Sequence, residues 1–222
     1  MTRRPDLGEV EAVLLDMDGT LVDSDACVER AWTIWAGEYG VAVETVLAIA
    51  HGNPSGRTVR QLFPQLDEEA AAIAAQRQLA LQYDDLSDVA AAIGASDLLA
   101  ALEESGLPWA VVTSADGRLA KARLATAGIE PPLLLTIDDV RQGKPDPEGY
   151  LRAAAELGVD PAACLVVEDS APGLAAGAAA GMITAALRGL DGDLRVSDLG
   201  HLADLLRRAR TRREAVGHRV QP

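Results

Sequence analysis

No stretch of this sequence approaches the roughly 18 consecutive apolar residues of a membrane-spanning helix. Its opening residues, MTRRPDLGEVEA, also lack the apolar centre of a signal peptide. Neither a membrane nor an export route is expected, and the chain is read as cytoplasmic. Cysteine is scarce: Cys27 and Cys164 fall in different apparent elements with no metal-type spacing around them, so buried free thiols are expected rather than a disulfide or redox centre. Positive charge is short, with 20 Lys and Arg against 34 Asp and Glu and a formal net charge of -14. Nucleic acid and anionic lipid would both be repelled by such a surface, which leaves a small molecule as the expected partner. The basic cluster RRARTRR at 207–213 follows an apolar helical pattern, where cations complement a helix C-terminus, and is read as solvated. Lysine is the rarest charge, present only as Lys121 and Lys144.

What is present has a regular order. At 222 residues the chain can bury a sizeable core without staples, and a monomer is expected. Val13, Leu14 and Leu15 form a short apolar run that ends in Asp-Met-Asp-Gly, as a buried strand entering a glycine turn would. Similar runs are WAVVTS (109–114), LLLT (133–136), ACLVVEDS (163–170) and MITAAL (182–187). Helical patterns separate them, among them DGRLAKARLATAG and PEGYLRAAAELG, each closed by a glycine suited to a helix end. This alternation predicts an α/β protein with a Rossmann-like parallel sheet core. Residues 25 to about 88 break the rhythm: Trp32, Trp35, Leu47, Ile49, Leu62, Ile73 and Leu79 recur at roughly helical spacing with no strand between them. They are read as a helical cap domain inserted after the first strand. The expected division is a core of residues 1–22 and 90–222 and a cap of residues 23–89, with linkers near 21–25 and 84–92 that let the cap open and close.

In an open parallel sheet, ligands bind where the strands end at their carboxyl side. Four places there carry unusual residues: Asp16 and Asp18 after the first strand, Thr113 and Ser114 after the second, Gly143-Lys144-Pro145-Asp146 after the third, and Glu168-Asp169-Ser170 after the fourth. Asp-x-Asp alone is a weak signal, common at turns. Several carboxylates converging with no histidine or cysteine are stronger, because they repel one another unless a hard cation such as Mg²⁺ lies among them. A lysine, hydroxyls and free amides beside that cation would hold the remaining oxygens of a phosphate. The set describes a phosphoryl-transfer site.

The segments DMDGT (16–20), VVTS (111–114), KPDP (144–147) and VVEDS (166–170) stand in the order of the four motifs of the haloacid dehalogenase superfamily, and the sequence resembles its phosphatase branch. The insertion resembles the helical cap of the subfamily that includes β-phosphoglucomutase and many small phosphatases. The resemblance implies that Asp16 is the nucleophile and Asp18 the general acid and base. It implies that Mg²⁺ is held by Asp16, Asp18 through its backbone carbonyl, and Asp169, with Glu168 near the ion or reaching it through water. Phosphate would be bound at Asp16, Gly19, Thr113, Ser114 and Lys144, while Thr20 supports the loop. A second acidic residue in the first motif favours phosphate esters over carbon–halogen bonds. Mutases of this type carry a histidine in the first cap helix; the corresponding residue here is Val28, which favours hydrolysis. A non-catalytic binding module is opposed by the intact Asp16, Asp18, Thr113, Lys144 and Asp169.

The stretch HGNPSGRT (51–58) is one residue short of a nucleotide-binding P-loop, has Arg57 where lysine is needed and follows no strand, so nucleotide binding is excluded there. Two readings stay open for it: His51, Asn53 and Arg57 as contacts to substrate, or a plain turn between helices capped by Ser55. Trp32 and Trp35 are expected in the packing of the cap, and His201 and His218 suggest no catalytic role. With DGTLVDS, ERAWTIWA and the cap residues HG, the chain looks most like bacterial sugar phosphatases. The expected activity is therefore Mg²⁺-dependent hydrolysis of a small sugar or polyol phosphate, with a phosphosugar mutase as the alternative.

Overall fold

A computed structural model of the chain describes residues 5–50 and 52–217. Its central strand β1 (Ala12–Leu15) is apolar and buried at every position, as a parallel strand covered on both faces requires. Side chains alternate across it with the period of two that a strand imposes. Val13 and Leu15 join one apolar cluster and Ala12 and Leu14 join the other. The first cluster is completed by α5 (Ala95–Ser105), α6 (Gly117–Thr126) and α9 (Leu199–Gly217), the second by α7 (Glu148–Leu157) and α8 (Ala171–Ala179).

The remaining core strands are β4 (Trp109–Val112), β5 (Leu134–Leu135), β6 (Cys164–Glu168), β7 (Ile183–Ala186) and β8 (Leu194–Arg195). They form one sheet in the order β5-β4-β1-β6-β7-β8, and every neighbouring pair is parallel. The sheet grows from β1 through β4 to β5, then restarts with β6 on the other side of β1. This reversal of strand order opens a crevice at the carboxyl end of β1. Cys27 and Cys164 are buried and unpaired, and burial pushes the Cys164 thiol up to about 11, so it stays protonated and inert. No helix among the described residues is long and apolar enough to cross a membrane.

Between β1 and α5 lie β2 (Val22–Asp23), four helices and β3 (Ala90–Ala91). The two short strands pair antiparallel, with Val22 opposite Ala91 and Asp23 opposite Ala90, so the outgoing and returning chain run side by side. The helices are α1 (Asp25–Tyr39), α2 (Val43–Ala50), α3 (Ser55–Leu62) and α4 (Glu68–Asp84), and they bury an apolar cluster of their own. Trp35 is its centre: it stacks on Tyr39, meets Trp32 edge to face at 5.2 Å, and donates its indole N–H to the Ala74 carbonyl at 2.8 Å. The packed face of α4 is Ala71, Ala74, Gln78 and Gln82, spaced at three and four residues. Ile73, which the apolar periodicity predicts inside, is 57% exposed. Trp35 meets the packed face at the Ala74 carbonyl, and the hydrogen bonds of Gln78 and Gln82 lie on that same face.

Candidate active site

Parallel register explains why distant residues meet. Leu15 is level with Val111 on β4 and with Val167 on β6, so the next residues, Asp16, Val112 and Glu168, share one level at the end of three adjacent strands. The Asp16 amide still donates to the Val167 carbonyl, at 3.0 Å, which fixes its Cα before the chain turns away. Lys144 reaches into this level from the loop before α7. Its ammonium donates to Asp16 Oδ1, to the Val112 carbonyl at 2.9 Å and to Glu168 Oε1 at 2.6 Å. All three of its protons are thereby used.

Glu168 is fully buried, and both of its oxygens are engaged. Oε1 accepts from Lys144 and from the Tyr150 hydroxyl at 2.8 Å, while Oε2 accepts from the Ser170 amide and hydroxyl. A Cβ at Gly173 would overlap this carboxylate, so the first turn of α8 needs glycine there. Asp169 pairs with Arg188 at 2.8 Å and accepts from the Thr20 hydroxyl at 3.4 Å. Gly19, at φ +78, lies so close to Asp169 that any side chain would strike its carboxylate.

The electrostatics of this cluster are out of balance. Burial is the main force pushing Asp16 well above the ordinary carboxylate range; the negative fields of Glu168 and Asp169 add to it, and Lys144 pulls the other way. Burial pulls Lys144 down, but Asp16 and Glu168 together outweigh it and keep its ammonium charged. Burial and then Glu168 raise Tyr150, which remains a donor. Asp16, Glu168 and Asp169 each offer an oxygen within 4.8 Å of the others. Three buried carboxylates against Lys144 and Arg188 leave one negative charge over, and with oxygen the only donor atom they fit a hard divalent cation. Asp16 and Asp169 suit that role. Glu168, whose oxygens also accept from Lys144, Tyr150 and Ser170, is the third member of the group. The Asp18 carboxylate turns away from this group, accepting from the Ser24 hydroxyl at 2.7 Å and from Arg123 at 2.7 Å.

A cavity of ≈ 170 Å³ lies between the strand ends and the cap helices, lined among others by Asp16, Asp18, Val28, Trp32, Asn53 and Ser114. Larger surface grooves, such as the one of ≈ 700 Å³ between residues 5–9 and α9, lie away from the carboxylates. Thr113 closes its own turn by accepting from the Ala115 amide at 3.1 Å, whereas the buried Ser114 hydroxyl has no partner among the described residues. From the cap, Asn53 donates to the Ile49 carbonyl at 2.9 Å and leaves its buried Oδ1 without a partner there. Arg57 donates to the Lys144 carbonyl at 3.0 Å, and Gly52 packs against Ser170 with no room for a Cβ. The loop therefore touches both charged strand ends. Ser55 does not cap α3. It is the first residue of that helix, after Pro54, and its hydroxyl donates to Gln78 instead. His51 lies outside the described residues, as does His218.

Several residues here carry no signal in the sequence. Arg123, Gln78 and Gln82 sit at helix positions that read as solvated, and Arg188 follows β7 in no motif. Ser170 belongs to VVEDS, and Tyr150 lies three residues beyond KPDP.

A family model described as "Hydrolase: haloacid dehalogenase-like hydrolase" matches residues 10–181. Among curated proteins, the chain is 41% identical over 169 residues to hexitol phosphatase A of Escherichia coli, covering 76% of this chain and 78% of that protein. It is 35% identical over 192 residues to 2-deoxyglucose-6-phosphate phosphatase 1 of Saccharomyces cerevisiae, covering 77% of each. Among solved structures, a hydrolase from Pseudomonas syringae superposes with a TM-score of 0.80 at 25% identity, covering 89% of this chain and 98% of that one. A β-phosphoglucomutase from Clostridium difficile reaches the same TM-score at 18% identity, covering 93% and 99%, a likeness of fold alone.

Proposed function

The chain belongs to the haloacid dehalogenase-like hydrolases, and from that premise we propose that it is a phosphatase that hydrolyses a small sugar or polyol phosphate through an aspartyl-phosphate on Asp16. The observation that carries this reading is the meeting of Asp16 and Asp169, from the ends of adjacent strands, with Lys144, from the loop before α7, beneath a small cavity. The likeness to hexitol and deoxyglucose phosphate phosphatases supports the substrate class.

In the first step an Asp16 oxygen forms a bond to phosphorus while the ester P–O bond breaks, and Asp18 gives its proton to the departing alkoxide. In the second, Asp18 takes a proton from water, whose oxygen bonds to phosphorus as the Asp16–phosphorus bond breaks. The Asp16 carboxylate and inorganic phosphate result. Lys144 orients Asp16 and offsets the charge brought by phosphate, while Ser114 and Thr113 bind its oxygens. Mg²⁺ would be held by Asp16, Asp169 and the Asp18 carbonyl, and when bound it neutralises phosphate charge that the lysine alone does not cover. The ≈ 170 Å³ cavity suits a small alcohol, with the Asn53 amide oxygen open to a hydroxyl and Arg57 close by. Val28 lines that cavity and provides no acid or base for returning the phosphoryl group to a sugar, which favours hydrolysis over a mutase reaction.

The test is a panel of hexitol, deoxyhexose, glycerol and other sugar phosphates with Mg²⁺, compared by kcat/KM. Phosphate release without isomer formation is expected. Isomer formation would establish the mutase, and turnover that survives in Asp16→Ala would overturn the assigned nucleophile.

A further inference from the structure

We propose that Arg123 and Gln82 are positioning residues for Asp18, which tie the direction of its carboxylate to the seating of the cap. The inference rests on the reading of Asp18 as proton donor to the leaving alkoxide. It starts from an oddity of α6, whose inward face is Leu119, Ala120, Arg123 and Leu124. An arginine only 2% exposed stands where an aliphatic residue would pack. A buried guanidinium is costly unless it is paired, so its partners show what it is there to hold.

Its charged partner is Asp18, through Nη1 at 2.7 Å. Its second nitrogen, Nη2, donates to Gln82 Oε1 at 2.6 Å, with a looser approach to Cys27 Sγ at 3.9 Å. Gln82 belongs to the last cap helix, two residues before it ends, whereas Arg123 belongs to the core. The guanidinium therefore bridges the boundary, with one nitrogen on the catalytic loop and one on the cap. Gln82 in turn donates to Gln78 at 2.6 Å, and the Ser55 hydroxyl donates to the same Gln78 oxygen. Ser55 opens α3 directly after Asn53 and Pro54, the part of the cap that lines the cavity. A continuous row of hydrogen bonds thus runs from the cap loop to Asp18.

The other oxygen of Asp18 is held from the opposite side. Ser24 stands at the N-cap of α1 but makes no cap there; its hydroxyl donates to Asp18 at 2.7 Å. Asp18 is thus held by Ser24 at the outgoing crossing into the cap and, through Arg123, by Gln82 near the returning one, and each of its oxygens has a donor. To reach a leaving oxygen it must release one. Because a guanidinium is a rigid planar fork, a shift of α4 that moves Gln82 must turn the Arg123 plane and with it the grip on Asp18. Filling the cavity against the Asn53–Ser55 corner supplies such a shift, so the proton donor is presented only when the cap loop is seated on a substrate.

The experiment compares two esters on the full chain with Mg²⁺: sorbitol 6-phosphate, whose alkoxide needs a proton to leave, and p-nitrophenyl phosphate, whose phenolate does not. The readout is the ratio of their kcat/KM values, which reports formation of the aspartyl-phosphate and not its hydrolysis, where Asp18 serves both esters alike. Arg123→Met is expected to lower the sorbitol phosphate to nitrophenyl phosphate ratio by about a hundredfold and Gln82→Leu by about tenfold, the scale of a misplaced catalytic group. Gln82→Glu, which keeps the acceptor for Arg123 but loses the donor to Gln78, should restore part of the ratio. An unchanged ratio in Gln82→Leu and Arg123→Met, whether both rates fall together or neither falls, would overturn the proposal and leave a purely structural pair. Should Arg123→Met fail to fold, Gln82→Leu and its Glu counterpart decide alone. No turnover of either ester by the unaltered chain is a distinct result, which overturns the phosphatase reading and this inference with it.

Discussion

The two sides of the cavity are built from different materials. On the sheet side the buried charges gather: Asp16, Lys144, Glu168 and Asp169 are each less than a tenth exposed, with Lys144 joining Asp16 to Glu168 and Arg188 pairing with Asp169, and the neutral Thr20, Thr113 and Ser170 are buried beside them. On the cap side the buried polar residues are neutral, namely Ser55, Thr58, Gln78 and Gln82. A buried charge that loses its partner costs several kcal/mol, whereas a neutral hydrogen bond contributes about 0.5–1.5 kcal/mol. The strand ends are thus held in one arrangement, and the cap can rearrange its bonds cheaply. In the proposed function, chemistry that needs fixed charge and recognition that needs adjustment fall to separate parts of the chain.

Four measurements would sharpen or break this contrast. The largest effect is expected from Asp16→Asn, which should lower phosphate release by about four orders of magnitude or more, with circular dichroism showing the fold retained; substantial residual turnover would remove the nucleophile from the charged side. Next, Lys144→Met leaves Asp16 and Glu168 buried without their shared cation, and urea unfolding should show a loss of about 3–5 kcal/mol. Mg²⁺ at about one hundred times its dissociation constant should raise stability by about 2.7 kcal/mol, seen as a higher melting temperature that Asp169→Asn abolishes. The smallest effect belongs to the cap: Gln78→Leu should cost about 1 kcal/mol. A cost for Gln78→Leu equal to that for Lys144→Met would erase the distinction between the two sides.

The same contrast decided what could be read from the sequence. The charged residues are legible because they sit in short consecutive segments at the ends of apolar runs, and parallel pairing in register carries Asp16 beside Glu168 with no further information. The strands of four or five residues were equally visible. The strands β2, β3, β5 and β8 have two residues each, too short for any period to show, and β2, β3 and β8 went unread. Contacts between cap and core depend on how two finished surfaces meet. Tyr83 donating to Asp116 at 2.8 Å and Arg57 donating to the Lys144 carbonyl leave no trace in local spacing. Ile73 and Arg123 mislead in opposite senses. The isoleucine matches an apolar stripe yet faces solvent because the face of α4 with Ala74, Gln78 and Gln82 turns inward, and the arginine is buried because Asp18 and Gln82 receive it.

The ribbon of β2 and β3 has a meaning beyond its size. Val22 and Ala91 are cross-strand neighbours, and facing Cα atoms in an antiparallel pair are about 4.5–5.5 Å apart. A two-residue turn is enough to join such a pair. Everything between them hangs from the sheet like a graft on a single stem: it can be lengthened, shortened or exchanged for another without rethreading one core strand. Selection acting on substrate choice therefore has a module to work on that leaves the phosphorus chemistry where it is.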